Sequence, residues 1–352
     1  MVAPPREAEP GGPAPAGSAS AAGSVPAVRE GRCTHARLEE SSCQACEDAC
    51  REDAIFPAGT EIFIFAEACT GCGACVAACP QEALALAPPP PEVLIPLGGT
   101  GPAVAMCREW PGAARAAVAR CIHGLSDAVL AAGPHRIAVA TPDCAACPLC
   151  PPETLFDRVA RLNALAADRG RAGIELRPAT PAEARAALDD RAAVDPARRR
   201  LFARFATAGE AAAPADPAAA LRELQALPGA APRFRHVPRI DPALCIGCDA
   251  CLRICPDEVL ALDSEGGVLR YTVAAERCTG CALCVDMCAP AAMRVEPMAQ
   301  AAAPIPLHDF RCRMCGVSVH EPVTAATEAA APDLCRICRA APHGKRLHQV
   351  IA

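Results

Sequence analysis

The strongest constraint on this chain is the spacing of its cysteines. A run of the form C-x2-C-x2-C-x3-C extends from Cys245 to Cys255, and the same run recurs from Cys278 to Cys288. Three thiolates on one tight loop can occupy three corners of an Fe4S4 cube, and Gly247 lets the backbone approach closely. The fourth cysteine opens a short helix that points away, so it is available to a second cube. The spacing therefore predicts two [4Fe-4S] clusters in this part of the chain.

Together the two runs resemble a two-cluster bacterial ferredoxin. The resemblance implies that each cluster takes three ligands from one run and its fourth from the other. A zinc site, the alternative, needs only four cysteines in two pairs and leaves half of these thiols unexplained. The implied ligand sets are Cys245, Cys248, Cys251 and Cys288 for one cluster, and Cys278, Cys281, Cys284 and Cys255 for the other.

An earlier block repeats this pattern less regularly. Cys69 begins a complete run that ends at Cys79 and is followed by Pro80. The stretch CQACEDAC upstream supplies only three cysteines, and its last, Cys50, precedes Arg51 where the ferredoxin pattern has proline. A first ligand is therefore missing from the upstream run.

We expect Cys33 to be this missing ligand. The inserted residues 34–42 cost little, because loop-closure entropy grows only slowly with length. Two alternatives stay open: Cys33 is a free thiol beside a three-iron cluster, or His35 is the ligand in its place. The predicted sets are Cys33, Cys43, Cys46 and Cys79 for one cluster, and Cys69, Cys72, Cys75 and Cys50 for the other.

A middle block of five cysteines lacks ferredoxin spacing. The stretches 103–106 and 136–140 are predicted to be short buried strands that lead towards cysteines, and 126–132 is a predicted helix with Ser126 at its N-cap. Open α/β sheets bind ligands at the carboxyl ends of their strands. We therefore expect these thiols to gather at one edge of a small α/β unit.

The segment CIHGLSDAVLAAGPHRIAVATPDCAAC, which begins at Cys121, resembles the delta-type iron–sulfur subunit of methyl-viologen-reducing hydrogenases. The resemblance extends over about residues 93–165 and implies a [2Fe-2S] cluster, with Cys150 as a spare or alternative ligand. The other interpretation is a remnant domain whose cysteines are buried or bind zinc. The implied ligands are Cys107, Cys121, Cys144 and Cys147.

The last block contains two C-x2-C pairs, a pattern that holds one tetrahedral ion. Zinc is the usual metal of a structural four-cysteine site, and the segment looks like a zinc ribbon. Rubredoxin-type iron is the alternative, although the prolines usual in rubredoxins are absent. The predicted ligands are Cys312, Cys315, Cys335 and Cys338.

The cysteine blocks divide the chain into an α+β multidomain protein. Apolar periodicity predicts helices at 153–169, 181–191, 197–213 and 216–227, and proline content predicts a stiff connector at 87–92. The predicted units are a disordered tail (1–30), ferredoxin-like module 1 (31–88), a small α/β cysteine-containing unit (93–175), a helical linker (176–232), ferredoxin-like module 2 (233–299) and a zinc-ribbon-like module (305–345).

Charge and composition narrow the possible partners. A net charge of −6 argues against nucleic-acid binding, which calls for a basic domain or stripe. No apolar run approaches the ~20 residues that cross a bilayer, and the N-terminal residues lack the apolar segment of a secretory signal. The 25 cysteines are therefore expected to bind metals in a reducing cytoplasm.

These features predict an electron-transfer protein rather than an enzyme, because the sequence shows neither a G-x-G-x-x-G motif nor a Walker loop. Four [4Fe-4S] clusters suit a polyferredoxin-type accessory subunit of a larger oxidoreductase, such as a formate dehydrogenase or hydrogenase. The alternative function is an assembly or maturation factor that uses its metal sites structurally.

Overall fold

The computed structural model describes residues 25–86, 94–97, 101–113, 121–193, 217–325, 327 and 332–340. Most of the predicted tail, the connector at 87–92 and the predicted helix at 197–213 lie outside these residues. Within the described ranges, no helix combines the length and the apolar character needed to cross a bilayer.

Module 1 consists of two antiparallel strand pairs and two short helices. β1 pairs with β4, and β2 pairs with β3. Because β1 is part of this arrangement, the module begins before residue 31, and the predicted tail extended a few residues too far. The elements are β1 (Ala27–Val28), α1 (Ala45–Asp48), β2 (Ile55–Ala58), β3 (Glu61–Ile64), α2 (Ala74–Ala78) and β4 (Leu84–Ala85).

The α/β unit is built on a four-stranded sheet in the order β5-β6-β7-β8. β5 is antiparallel to β6, whereas β6, β7 and β8 are parallel. Two helices, α3 (Asp127–Ala132) and α4 (Leu155–Ala167), begin at the predicted N-cap Ser126 and at a capping box on Thr154. The predicted strands and helices of this region are confirmed. The strands are β5 (Leu94–Pro96), β6 (Ala103–Met106), β7 (Arg136–Ala140) and β8 (Glu175–Pro178).

The predicted helical linker is part of the α/β unit in the structure. β8 completes the sheet, and α5 (Pro181–Ala193) packs Ala184 and Ala187 against Val104 and Met106 of β6. Alanines permit close approach to the sheet but give a weak periodic signal, so this apolar face was not recognised as core. On the opposite face, Leu221 of α6 (Pro217–Ala226) joins the core formed by α3 and α4.

Module 2 repeats the element order of module 1 with longer strands. β9 pairs with β12 along eight-residue strands, and β10 forms a hairpin with β11. Tyr271, Leu283 and Val237 are almost fully buried between these layers. The elements are β9 (Arg233–Ile240), α7 (Ala250–Ile254), β10 (Leu260–Glu265), β11 (Val268–Val273), α8 (Leu283–Asp286) and β12 (Met293–Gln300).

The C-terminal module extends the sheet of module 2. β13 (Ile305–Arg311) pairs with β11 on one side and with β14 (Ser318–Pro322) on the other, giving the order β10-β11-β13-β14. A short helix, α9 (Arg336–Ala340), carries the last cysteine of the block. The predicted zinc-ribbon-like segment is therefore joined to module 2 by backbone hydrogen bonds.

Arg158 on α4 is expected to be a main stability determinant of the α/β unit. Its side chain is 2% exposed, and Nη1 donates to the carbonyls of His123 and Leu125 at 2.7 and 3.1 Å. Arg158→Met keeps the aliphatic stem but leaves both carbonyls unsatisfied, at about 1–3 kcal/mol each. We expect a melting temperature lower by roughly 4–24 °C in calorimetry, from a loss of about 2–6 kcal/mol at about 2–4 °C per kcal/mol. The exposed Arg171→Met is the matched control, and an equal drop in that variant would contradict the assignment.

Candidate metal centres

The structure brings Cys33 together with the three cysteines predicted to share a cluster with it. Cys33, Cys43, Cys46 and Cys79, called the Cys33 set below, line one cavity of about 340 Å³. Burial, and then the neighbouring thiols of Cys79, Cys43 and Cys33, raise the pKa of Cys46 to about 12. These thiols oppose one another's ionisation, and the iron of a cubane would stabilise all four as thiolates.

His35, the alternative ligand, lies at the same cavity but has a partner in the backbone. Its Nε2 donates to the carbonyl of Cys43 at 2.8 Å, and its side chain is buried. The contact fastens the inserted loop onto the segment that carries Cys43. His35 Nδ1 is buried without a hydrogen-bond partner, so the contact at Nε2 holds the loop and leaves both Cys33 and His35 as candidate ligands.

The Cys69 set consists of Cys69, Cys72, Cys75 and Cys50, which line a second cavity of about 470 Å³. Burial and the neighbouring thiols raise the pKa of Cys75, and Cys46 of the Cys33 set is among those neighbours. The two sets of module 1 are therefore adjacent, across the contact of α1 with α2.

Module 2 contains two further sets. The Cys245 set, Cys245, Cys248, Cys251 and Cys288, lines a cavity of about 330 Å³ beside Tyr271. In the Cys278 set, burial and the thiols of Cys278, Cys281 and Cys255 raise the pKa of Cys284, and Cys251 of the other set lies near as well. The structure thus groups all sixteen ferredoxin-type cysteines as the sequence predicted; their role as ligands is taken up below.

A turn shared by all four runs was not anticipated from the sequence. The fourth cysteine of each run accepts a hydrogen bond at its sulfur from the backbone N–H four residues later, over 3.2–3.4 Å. The residue directly before each donor, for example Asp53 before Ala54 or Glu258 before Val259, has a positive φ near 50°. Cys50 therefore adopts the same geometry as its counterparts despite Arg51, and N–H donors to sulfur are one means of tuning a cluster's potential.

The middle block gathers at the carboxyl ends of β6 and β7, as predicted. Cys107 follows β6 and is hydrogen-bonded to Cys121, which lowers the pKa of Cys107 to about 6. Thr141 follows β7, and its Oγ1 lies 3.0 Å from Cys144 Sγ. Cys147 is close to Cys144. The four predicted ligands are thus neighbours.

Cys150, the spare thiol of this block, is oriented differently. Its sulfur lies 3.9 Å from Nε2 of His123, a histidine held by the N–H of Leu155. Burial is the first cause of the raised pKa of Cys150. The thiols of Cys144 and Cys147 raise this pKa as well, so Cys150 lies beside the quartet and stays a spare or alternative ligand.

The C-terminal cysteines form the tightest group. The sulfurs of Cys312, Cys315, Cys335 and Cys338 all lie within 4.8 Å of one another. A tetrahedral zinc with Zn–S bonds of about 2.3 Å places its sulfurs about 3.8 Å apart, so the quartet fits one ion. Backbone N–H groups of Cys315 and Cys335 lower the pKa of Cys312 to about 6, which favours the thiolate that a metal requires.

Comparisons with known proteins agree with this grouping. Residues 238–295 match the family model described as "4Fe-4S dicluster domain", and residues 62–85 match the "4Fe-4S binding domain". A pyruvate-flavodoxin oxidoreductase of Trichormus variabilis (strain ATCC 29413 / PCC 7937) is 32% identical over 90 residues, which cover 19% of this chain and 8% of that relative. The chain thus spans a small part of the relative's length. The two-cluster ferredoxin resemblance is confirmed for residues 238–295, and residues 62–85 are confirmed as a 4Fe-4S domain, so the protein carries two ferredoxin-type 4Fe-4S domains.

Proposed function

We propose that this protein is an electron-transfer subunit with four [4Fe-4S] clusters held by the Cys33, Cys69, Cys278 and Cys245 sets. The observation that carries the proposal is the adjacency of the sets within each module, Cys46 beside Cys75 and Cys251 beside Cys284. When bound, each cluster supplies reversible one-electron exchange. The chain donates N–H groups to sulfur and sets the spacing of the sites.

The α/β unit extends this series of sites. The N–H of Cys121 donates to the carbonyl of Cys72 at 3.2 Å, so the middle thiols lie directly against the Cys69 set. The hydrogenase resemblance suggests a [2Fe-2S] cluster on Cys107, Cys121, Cys144 and Cys147. Such a site would end the series on the side opposite the C-terminal module. For the four cysteines of the C-terminal module we propose zinc.

The redox partner that we propose is a larger oxidoreductase in the cytoplasm, such as a formate dehydrogenase or hydrogenase. Dense metal-binding thiols favour a reducing compartment. The relative in Trichormus variabilis is itself an oxidoreductase by its name, which supports a partner of this class. No catalytic role is proposed for this chain.

An assembly factor is the second candidate, favoured by the surface of the C-terminal module. Met314, Val317 and Ile337 are exposed beside its four cysteines. An apolar surface of this kind suits protein docking, which an assembly factor and an electron-transfer subunit would both need. Reversible reduction of the clusters is what separates the two functions.

Metal analysis and a redox titration test the proposal on anaerobically purified protein. Four cubanes and a zinc site predict about sixteen iron and one zinc per chain, and a [2Fe-2S] cluster raises iron to about eighteen. All clusters are expected to reduce and reoxidise reversibly. Iron near eight to twelve, or clusters that do not cycle, would contradict the electron-transfer function and favour the assembly factor.

A further inference from the structure

We infer that electrons cross between the two ferredoxin modules at one junction, formed by the Cys33 set and the Cys278 set, and that Gln81 is the residue that positions it. The inference rests on the proposed electron-transfer function. Without such a junction the chain would hold two separate pairs of sites. The location of the junction therefore determines the order in which electrons visit the four sets.

Gln81 connects the ligand loops of two sets. It follows Cys79 and Pro80, and its side chain is 7% exposed. Its Nε2 donates to Oγ1 of Thr279 at 2.7 Å and to Oδ2 of Asp257 at 3.2 Å. An amide nitrogen has two hydrogens, so both donors are used.

Both partners of Gln81 lie beside ligands of the same set. Thr279 directly follows Cys278, and Asp257 lies two residues after Cys255. Cys278 and Cys255 come from different runs, yet they belong to one predicted cluster. A single side chain of module 1 therefore holds the Cys278 set at two points of its ligand shell.

Ser42 forms a second bridge between the same regions. Its N–H donates to Oδ2 of Asp286 at 2.9 Å, and its Oγ donates to Oδ1 at 2.7 Å. Ser42 immediately precedes Cys43 of the Cys33 set, and Asp286 lies in α8, two residues after Cys284 of the Cys278 set. Two independent contacts thus join the same two sets.

The other two sets face different neighbours. The Cys69 set lies against the α/β unit through the Cys72 carbonyl, and the Cys245 set lies beneath β14, where His320 Nε2 is 2.9 Å from Asp249 Oδ1. The order along the molecule is therefore Cys245, Cys278, Cys33 and Cys69. Electrons that move between the Cys245 and Cys69 sets in this order cross the loops that Gln81 fastens.

Gln81 acts through the loops of Cys79 and Cys278, which makes it a positioning residue. Hydrogen bonds to a charged group such as the Asp257 carboxylate are stronger than neutral ones, at about 1.5–3 kcal/mol. Losing them frees the two loops to move apart. Electron transfer slows with the distance between donor and acceptor, so this separation slows transfer between the two sets.

Gln81→Met in the full chain tests the inference, because methionine keeps the side-chain volume and removes both donors. After partial photoreduction, freeze-quench EPR follows how fast reducing equivalents redistribute between the modules, with signals assigned from single-ligand variants of each set. We expect redistribution several-fold slower than in the native chain, with unchanged iron content and unchanged potentials. Combining it with Ser42→Ala is expected to slow redistribution further.

Gln225→Met is the matched control. Gln225 is also buried and also bridges to module 2, from α6 to Arg235 and Glu276, but does not contact module 1 through these bonds. Redistribution at the native rate in Gln225→Met supports the inference. It is overturned if Gln81→Met, alone and with Ser42→Ala, redistributes at the native rate, or if Gln225→Met slows equally. A native chain without four reversible clusters would instead refute the proposed function, before any variant is compared.

Discussion

Replacing Cys33 with serine is expected to cost the chain one cluster, or about four iron atoms. Cys33 shares its cavity with Cys43, Cys46 and Cys79, and three thiols alone leave one corner of a cubane without a ligand. Serine is close in size, but its hydroxyl is a poor substitute for thiolate. Iron and acid-labile sulfide per chain measure the loss, and EPR of the reduced protein is expected to retain the signals of the other three sets.

The matched control for this experiment is Cys150→Ser, which changes a thiol that faces His123 outside every predicted quartet. Its iron content is expected to equal that of the native chain. Full iron in Cys33→Ser would contradict the assignment and would leave either His35 as the ligand or Cys33 as a free thiol beside a three-iron cluster. A His35→Ala variant then decides, because that variant would lose the cluster if the imidazole were the ligand.

The irregular upstream run shows how far spacing alone can predict a site. The sequence placed Cys50 as a fourth ligand although Arg51 stands where proline is usual, and the structure gives Cys50 the turn of the other three runs. That turn depends on a backbone conformation at Asp53 and on an N–H at Ala54. Side-chain identity does not encode either feature strongly, so the spacing predicted the ligand but not the turn.

Contacts between distant segments were beyond sequence reasoning. Gln81 and Thr279 are joined across two modules, and although Thr279 lies within a cysteine run, its spacing gives no sign of a partner in module 1. The same holds for β13, whose pairing with β11 places the C-terminal module on the sheet of module 2. Local periodicity and cysteine spacing describe each unit separately, whereas these interfaces arise from polar groups that find partners only after the units have folded.

Loss of the C-terminal metal is expected to expose the Cys245 set, because β13 joins the C-terminal module to β11 of module 2. Structural zinc contributes roughly 10–16 kcal/mol to the folding of small four-ligand sites, so an empty site is expected to unfold β14 and α9. β14 carries His320, whose Nε2 lies 3.0 Å from Tyr271 Oη and whose carbonyl would collide with a side chain at Gly247. β14 therefore covers the loop of the Cys245 set.

Cys315→Ser tests this dependence, because Cys315 is exposed and its replacement disturbs little besides the metal. We expect zinc to fall from about one per chain to none. In air, the Cys245 set should then lose its cluster before the other three, since water and oxygen reach its loop. Met314→Ser, an exposed neighbour that is not a ligand, is expected to behave as the native chain. If the zinc-free variant loses all four clusters at the native rate, β14 does not protect this site, and the C-terminal metal stabilises only its own module.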